Sequence, residues 1–159
     1  MVALRDVRCV EELMDLAIQL AKGTSGDLIA LHVVEVPLAT PLEATAAVID
    51  QEGKQVLAKA KRVAEGRVPG RFSTRLVWAR DIGETIVAEA KEQTADLLVL
   101  GHHRDRESTE FLFGSTAWQV AHHAPCKVII QITAPQLHRT SPEPSRLPGS
   151  EQEEVAAGG

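Results

Sequence analysis

The sequence predicts a single three-layer, doubly wound α/β domain built on a five-stranded parallel sheet. Three observations carry that prediction. Apolar, β-branched runs of strand length alternate with segments whose apolar residues recur at helical spacing. The clearest run, Leu28 to Val36, is nearly continuous rather than alternating, which suits a strand covered on both faces. The chain has 159 residues, 44% of them hydrophobic, which is enough for one domain with a full core.

Each element has its own signal. Val2 to Leu4 reads as a short first strand. From Cys9 to Lys22, Val10, Leu13, Met14, Ala17, Leu20 and Ala21 mark one face of a helix, and Gly23 is placed to end it. The run from Leu28 to Val36 is the second strand. Thr40, Pro41 and Glu43 form a helix start, with Thr40 as cap, Pro41 at the first helical position and Glu43 completing a capping box. That second helix runs to about Ala64, with Gly53 as its weak point. Val68-Pro69-Gly70 is a turn before the alternating strand Phe72 to Trp78. Asp81 to Glu84 repeats the capping logic ahead of a helix carrying Ile82, Ile86, Val87 and Ala90. Ala95 to Gly101 is the fourth strand, Gly114 to Ala124 the fourth helix, and Lys127 to Ile132 the fifth strand. The folded domain is expected to span residues 1–133. Residues 134–159 hold four of the eight prolines and an acidic run, and read as a disordered tail.

Composition excludes several functions. A net charge of -5 argues against a nucleic-acid footprint, which needs a basic face. Five residues are Phe or Trp and none is Tyr, so no aromatic series is available for stacking bases. No apolar run approaches a membrane span, no signal peptide is evident, and two distant cysteines suggest no disulfide framework. The expected setting is cytoplasmic and reduced.

The most informative stretch is residues 95–130. In open parallel sheets, ligands sit beyond the carboxyl ends of the strands where the strand order reverses. Gly101 is expected to end a strand, where a bare backbone lets a ligand approach. Gly114 opens a helix whose first amides, on Ser115, Thr116 and Ala117, lack intrahelical acceptors and face anions favourably. The hydroxyls of Ser115 and Thr116 add donors. A plain turn and helix start would use the same residues.

The stretch resembles the carboxyl-terminal signature of the universal stress protein family: Gly, two residues, Gly, nine residues, Gly, then Ser or Thr. Gly101, His102-His103, the nine residues 105–113 and Gly114-Ser115 fall in register. The phrases ADLLVLG, FLFGST and HHAPCKVII, together with ALHVVEV and GET, are similar to the family's. The resemblance implies the family's adenine nucleotide α-hydrolase-like fold and, in one subgroup, ATP binding. It assigns Asp6 to the adenine and ribose region, Val33 to adenine, and Gly101, Gly114, Ser115 and Thr116 to the phosphates. The chain departs from the signature at Arg104, where the second glycine belongs. A side chain there costs about 1–2 kcal/mol if the site needs positive φ, whereas a guanidinium is itself an effective phosphate ligand. A second departure is Asp6-Val7-Arg8, where the family has a small-residue turn.

The family's proteins are typically dimers, which implies a homodimer here through Val128, Ile129, Ile130 and Ile132 of the strongly β-forming last strand. The implied function is a stress-response regulator or sensor that binds ATP weakly. The alternative is a nucleotide-independent dimeric interaction module of the same fold. The chain carries no acid, base and nucleophile set, so it is not read as an enzyme. Adjacent histidines at 102–103 and 122–123 diverge in direction and give no metal site, and His32 reads as a satisfied core histidine.

Overall fold

A computed structural model describes residues 1–36, 42–103 and 114–133, with the side chains of residues 42–50, 103 and 133 outside the description. The elements follow the expected alternation: β1 (Val2–Ala3), α1 (Val10–Thr24), β2 (Leu28–Glu35), α2 (Leu42–Ala64), β3 (Phe72–Ala79), α3 (Ile82–Glu92), β4 (Leu97–His103), α4 (Ser115–His123) and β5 (Lys127–Thr133). All strand pairs are parallel and the order is β3-β2-β1-β4-β5. The chain winds outward from β1 through β2 to β3, then restarts on β1's other side with β4. The order therefore reverses between β1 and β4, and β5 forms one edge.

Helices cover both faces. On one, α1 and α2 bury Leu13, Met14, Ile18, Val56 and Ala60 against Leu4, Ala30 and Val99. On the other, α3 and α4 bury Ile86, Ala90 and Val120 against Ala3, Leu31, Leu98 and Leu100. Alternate residues of each strand thus serve opposite layers, which is why the strands read as continuous apolar runs.

Three glycines behave differently from the sequence expectation. Gly23 does not end α1. The helix continues to Thr24, and Ser25 takes the left-handed conformation at φ 52°. Gly26 N–H then donates to Ala21 O at 3.2 Å, and the Thr24 hydroxyl donates to the same carbonyl at 3.3 Å. These bonds satisfy the last turn further along the chain, so the exposed Gly23 is simply carried inside the helix. Gly53 does not interrupt α2, which runs through it unbroken. A β-carbon there would stand 2.6 Å from Leu76 Cδ1 and 2.9 Å from His32 Cδ2, so the missing side chain lets α2 lie close to the sheet. Gly101 does not end β4. It lies within the strand, paired with Gln131, and the strand continues to His103.

His32 is buried, and its Nδ1 donates to Leu4 O at 2.8 Å. The Thr40-Pro41 cap, Arg104, the nine residues 105–113 and the tail at 134–159 lie outside the described residues.

Candidate functional site

A cavity of about 340 Å³ opens at the carboxyl end of the sheet, at the β1/β4 reversal. Its lining includes Val33 from β2, Gly101 and His102 from β4, and Gly114, Ser115, Thr116 and Ala117 from the start of α4. The structure thus brings together five of the seven residues the sequence singles out. Asp6 is not in the lining, and Arg104 falls outside the described residues.

Among the described residues, no side chain caps the α4 end of the cavity. Gly114 is the N-cap, in an extended conformation (φ -62°, ψ 159°), and supplies no side-chain cap. Trp118 N–H is the first amide to bond back, to Gly114 O at 3.0 Å. The three amides before it, on Ser115, Thr116 and Ala117, have no intrahelical acceptor, and the helix dipole adds positive potential at that point. A β-carbon on Gly114 would meet only His102, with Nδ1 at 3.7 Å and Cε1 at 3.8 Å, which is ordinary contact. Neither φ nor crowding demands glycine there, and its absent side chain leaves the mouth clear.

Gly101 serves a different end. A β-carbon on it would stand 2.8 Å from Leu13 Cδ1, so this glycine admits the α1 side chain to the cavity floor. Its lack of a side chain answers the core first, which strand-end reasoning from sequence cannot reveal.

Asp6 is engaged by its own turn. Its Oδ1 accepts from Arg8 N at 2.8 Å and from Cys9 N at 3.3 Å, and its Oδ2 accepts from Arg8 Nη2 at 3.4 Å. Partial burial pushes this carboxyl's pKa up, but the hydrogen bonds from Arg8 and Cys9 outweigh it and hold the group below the usual carboxylate range. Lys59 Nζ donates to Val7 O at 3.0 Å and pairs with Glu11 at 3.0 Å, pinning the same turn to α2.

Sequence reasoning missed Arg5, Glu35, Leu13, Ile82 and Ile86, which also line the cavity. The apolar three are core residues by pattern and become walls only once the helices are placed. For Arg5 the one sequence signal is that it follows Ala3 by two residues, just past the end of β1. Among the described residues no cluster of three or more metal-ligating side chains occurs. His123 Nδ1 donates to Gln119 O at 2.9 Å, and His122 lies against Trp118 with ring centroids 4.2 Å apart.

Residues 1–131 match the universal stress protein family. The chain belongs to that family. A universal stress protein of Methanocaldococcus jannaschii is 29% identical over 120 residues, covering 72% of this chain and 69% of the relative. Among solved structures, universal stress protein UspA from Lactobacillus plantarum superposes with a TM-score of 0.66 at 25% identity, covering 82% of this chain and 95% of its own. A universal stress protein from Archaeoglobus fulgidus, solved in complex with dAMP, shares the fold with a TM-score of 0.62 at 21% identity, over 81% of this chain and 93% of its own. The doubly wound five-stranded fold is therefore that of universal stress proteins. No described helix is long and apolar enough to cross a membrane.

Proposed function

We propose that this universal stress protein binds adenine nucleotide, ATP included, in the switch-point cavity and acts as a non-catalytic regulator or sensor in stress response. The observation that carries the reading is the uncapped α4 mouth opening into a cavity of about 340 Å³, within the roughly 300–1,000 Å³ range of small-molecule sites. Three backbone amides and the hydroxyls of Ser115 and Thr116 would hold phosphate oxygens. Val33, half-buried beside Ile82 and Ile86, would face the base. Charge supports this orientation, since Glu35 lines the Val33 end and disfavours phosphate there. Family relatives solved with dAMP, cAMP or AMP bound lend support. In this reading Arg104 would be a further phosphate ligand, residues 1–133 the domain, and residues 134–159 a tail.

We read the assembly as a cytoplasmic homodimer joined through Val128, Ile129, Ile130 and Ile132. β5 is a sheet edge, and Ile132 on it is 46% exposed.

The second reading is a nucleotide-independent dimeric module. One observation favours it: the Asp6 carboxylate already accepts three hydrogen bonds from its own turn. One experiment separates the two. Thermal unfolding is followed during ATP titration, with mass spectrometry of any co-purifying nucleotide. Binding predicts about 2.7 kcal/mol of added stability at a hundredfold excess over the dissociation constant. No shift at millimolar ATP, with no bound nucleotide recovered, overturns nucleotide binding in favour of the module.

A further inference from the structure

Arg5 is the cavity residue that neither the family signature nor the helix mouth accounts for. Its place in the fold is well defined. Ala3 pairs with Leu31 on β2 and Leu100 on β4. Just past β1, Leu4 N–H donates to Leu31 O at 2.8 Å, the bond that closes the Ala3–Leu31 pair. Arg5 follows two residues beyond Ala3, at the carboxyl end of the sheet, and lines the cavity together with Val33 of β2 and His102 of β4. His102 in turn is the neighbour of Gly114. Across the end of the sheet the sequence of groups is Glu35 and Val33, then Arg5, then His102 and the α4 mouth.

Arg5 is exposed and has no ion pair or side-chain hydrogen bond among the described residues. Four other arginines are matched, Arg8 with Asp6, Arg67 with Asp15, Arg71 with Asp27, and Arg75 with Glu89, whereas Arg62 and Arg80, which do not line the cavity, share Arg5's lack of an ion pair among the described residues. Glu35 shares the cavity with Arg5 but lies beyond ion-pair distance of it. A cation without a partner among the described residues thus lines the cavity on the strand between β2, which carries the acidic, apolar end, and β4, which leads to the amide-rich end.

We infer that Arg5 is the specificity-determining counter-charge for the phosphate nearest the ribose, so that the site separates nucleotide from nucleoside at the first phosphate. The inference rests on the nucleotide reading above and adds to it the class of ligand: a nucleoside monophosphate suffices, and further phosphates add less than the first. A base held at Val33 with its phosphate chain extending toward Gly114 puts that first phosphate at the middle of the cavity. A guanidinium there offers several donors in a planar fork suited to phosphate oxygens. The exposed side chain carries no core packing, so removing its charge leaves the fold intact.

The test is calorimetric titration of adenosine, AMP and ATP into the wild-type chain, Arg5→Met and Arg5→Lys. The expected result is a preference for AMP over adenosine that falls about tenfold in Arg5→Met, the scale of one lost charge-assisted hydrogen bond. Adenosine affinity stays unchanged, and Arg5→Lys keeps most of the preference. An unchanged preference in Arg5→Met, or equal weakening of adenosine and AMP, overturns the role of Arg5 while leaving nucleotide binding standing. A wild-type chain that binds none of the three ligands overturns both readings together.

Discussion

The α3 and α4 helices begin close together, pack against each other, and treat their first turns in opposite ways. At α3 the Asp81 carboxylate accepts from Glu84 N at 2.8 Å and from Gln119 Nε2 at 3.2 Å. The orphan amides that every helix start leaves are partly answered there by the chain itself. At α4 the corresponding residue is Gly114, which has nothing to offer them. Both segments read as helix starts in sequence. The chemical difference between aspartate and glycine at one position divides a finished helix end from one with donors to spare, although residues of both helix starts, Ile82 and Ser115 among them, line the cavity.

Closing the open mouth is the strongest way to break this contrast. Gly114→Asp would install at α4 what Asp81 supplies at α3, and the extended backbone and the space toward His102 accept it. Nucleotide affinity is expected to fall more than a hundredfold, since a carboxylate would both occupy the amides and repel phosphate. Thermal stability would rise by roughly a few tenths of a kcal/mol, the margin of an aspartate cap over a glycine one. Paired calorimetry and melting curves check both halves of that outcome. Weakened binding together with lowered stability would mean that the substitution simply damaged the helix.

Gly101→Ala probes the other glycine of the signature. The added methyl meets Leu13 Cδ1 at 2.8 Å, and Leu13 is only 2% exposed. A loss of about 1–3 kcal/mol in chemical denaturation is expected, as for other overpacked cores. Unchanged stability would show that Leu13 yields easily and that packing does not explain this glycine.

The smallest effect concerns acid. The backbone hydrogen bond from Glu84, followed by the bond from Gln119, holds the Asp81 carboxyl below the usual carboxylate range. A depressed folded-state pKa contributes stability above the unfolded value, and that contribution disappears as pH falls through the folded one. The wild-type melting temperature should therefore drop below about pH 4, and the drop should be shallower in Asp81→Asn, whose amide oxygen still caps but does not titrate there. Nucleotide affinity at neutral pH should be the same in both proteins. Identical acid profiles would remove Asp81 from the account of the α3 end.

Much of this was legible beforehand, for identifiable reasons. Helical spacing from Val10 to Ala21 and the apolar run from Leu28 are local signals of burial, and burial is what the fold satisfies. The Asp81 cap was readable because its partner lies three residues away. Gly114 to Thr116 could be placed at the cavity because strand and helix order locate the reversal of a parallel sheet. What escaped depends on distant partners. Gly53 answers to Leu76 and His32, and Gly101 to Leu13, contacts that do not exist until helices lie on strands. Arg5 was passed over because an arginine after a strand usually means solvent, and its surroundings emerge only from the register of three strands.

The side-chain amide of Gln119 belongs to α4 but reaches across to Asp81, and Gly83 leaves it no spare room on that flank. The helix is thus moored along its side rather than at its tip. A tip braced in that manner has no need of a stopper to keep from unravelling. An arriving anion would find its hosts already standing in formation, with little ordering left to do.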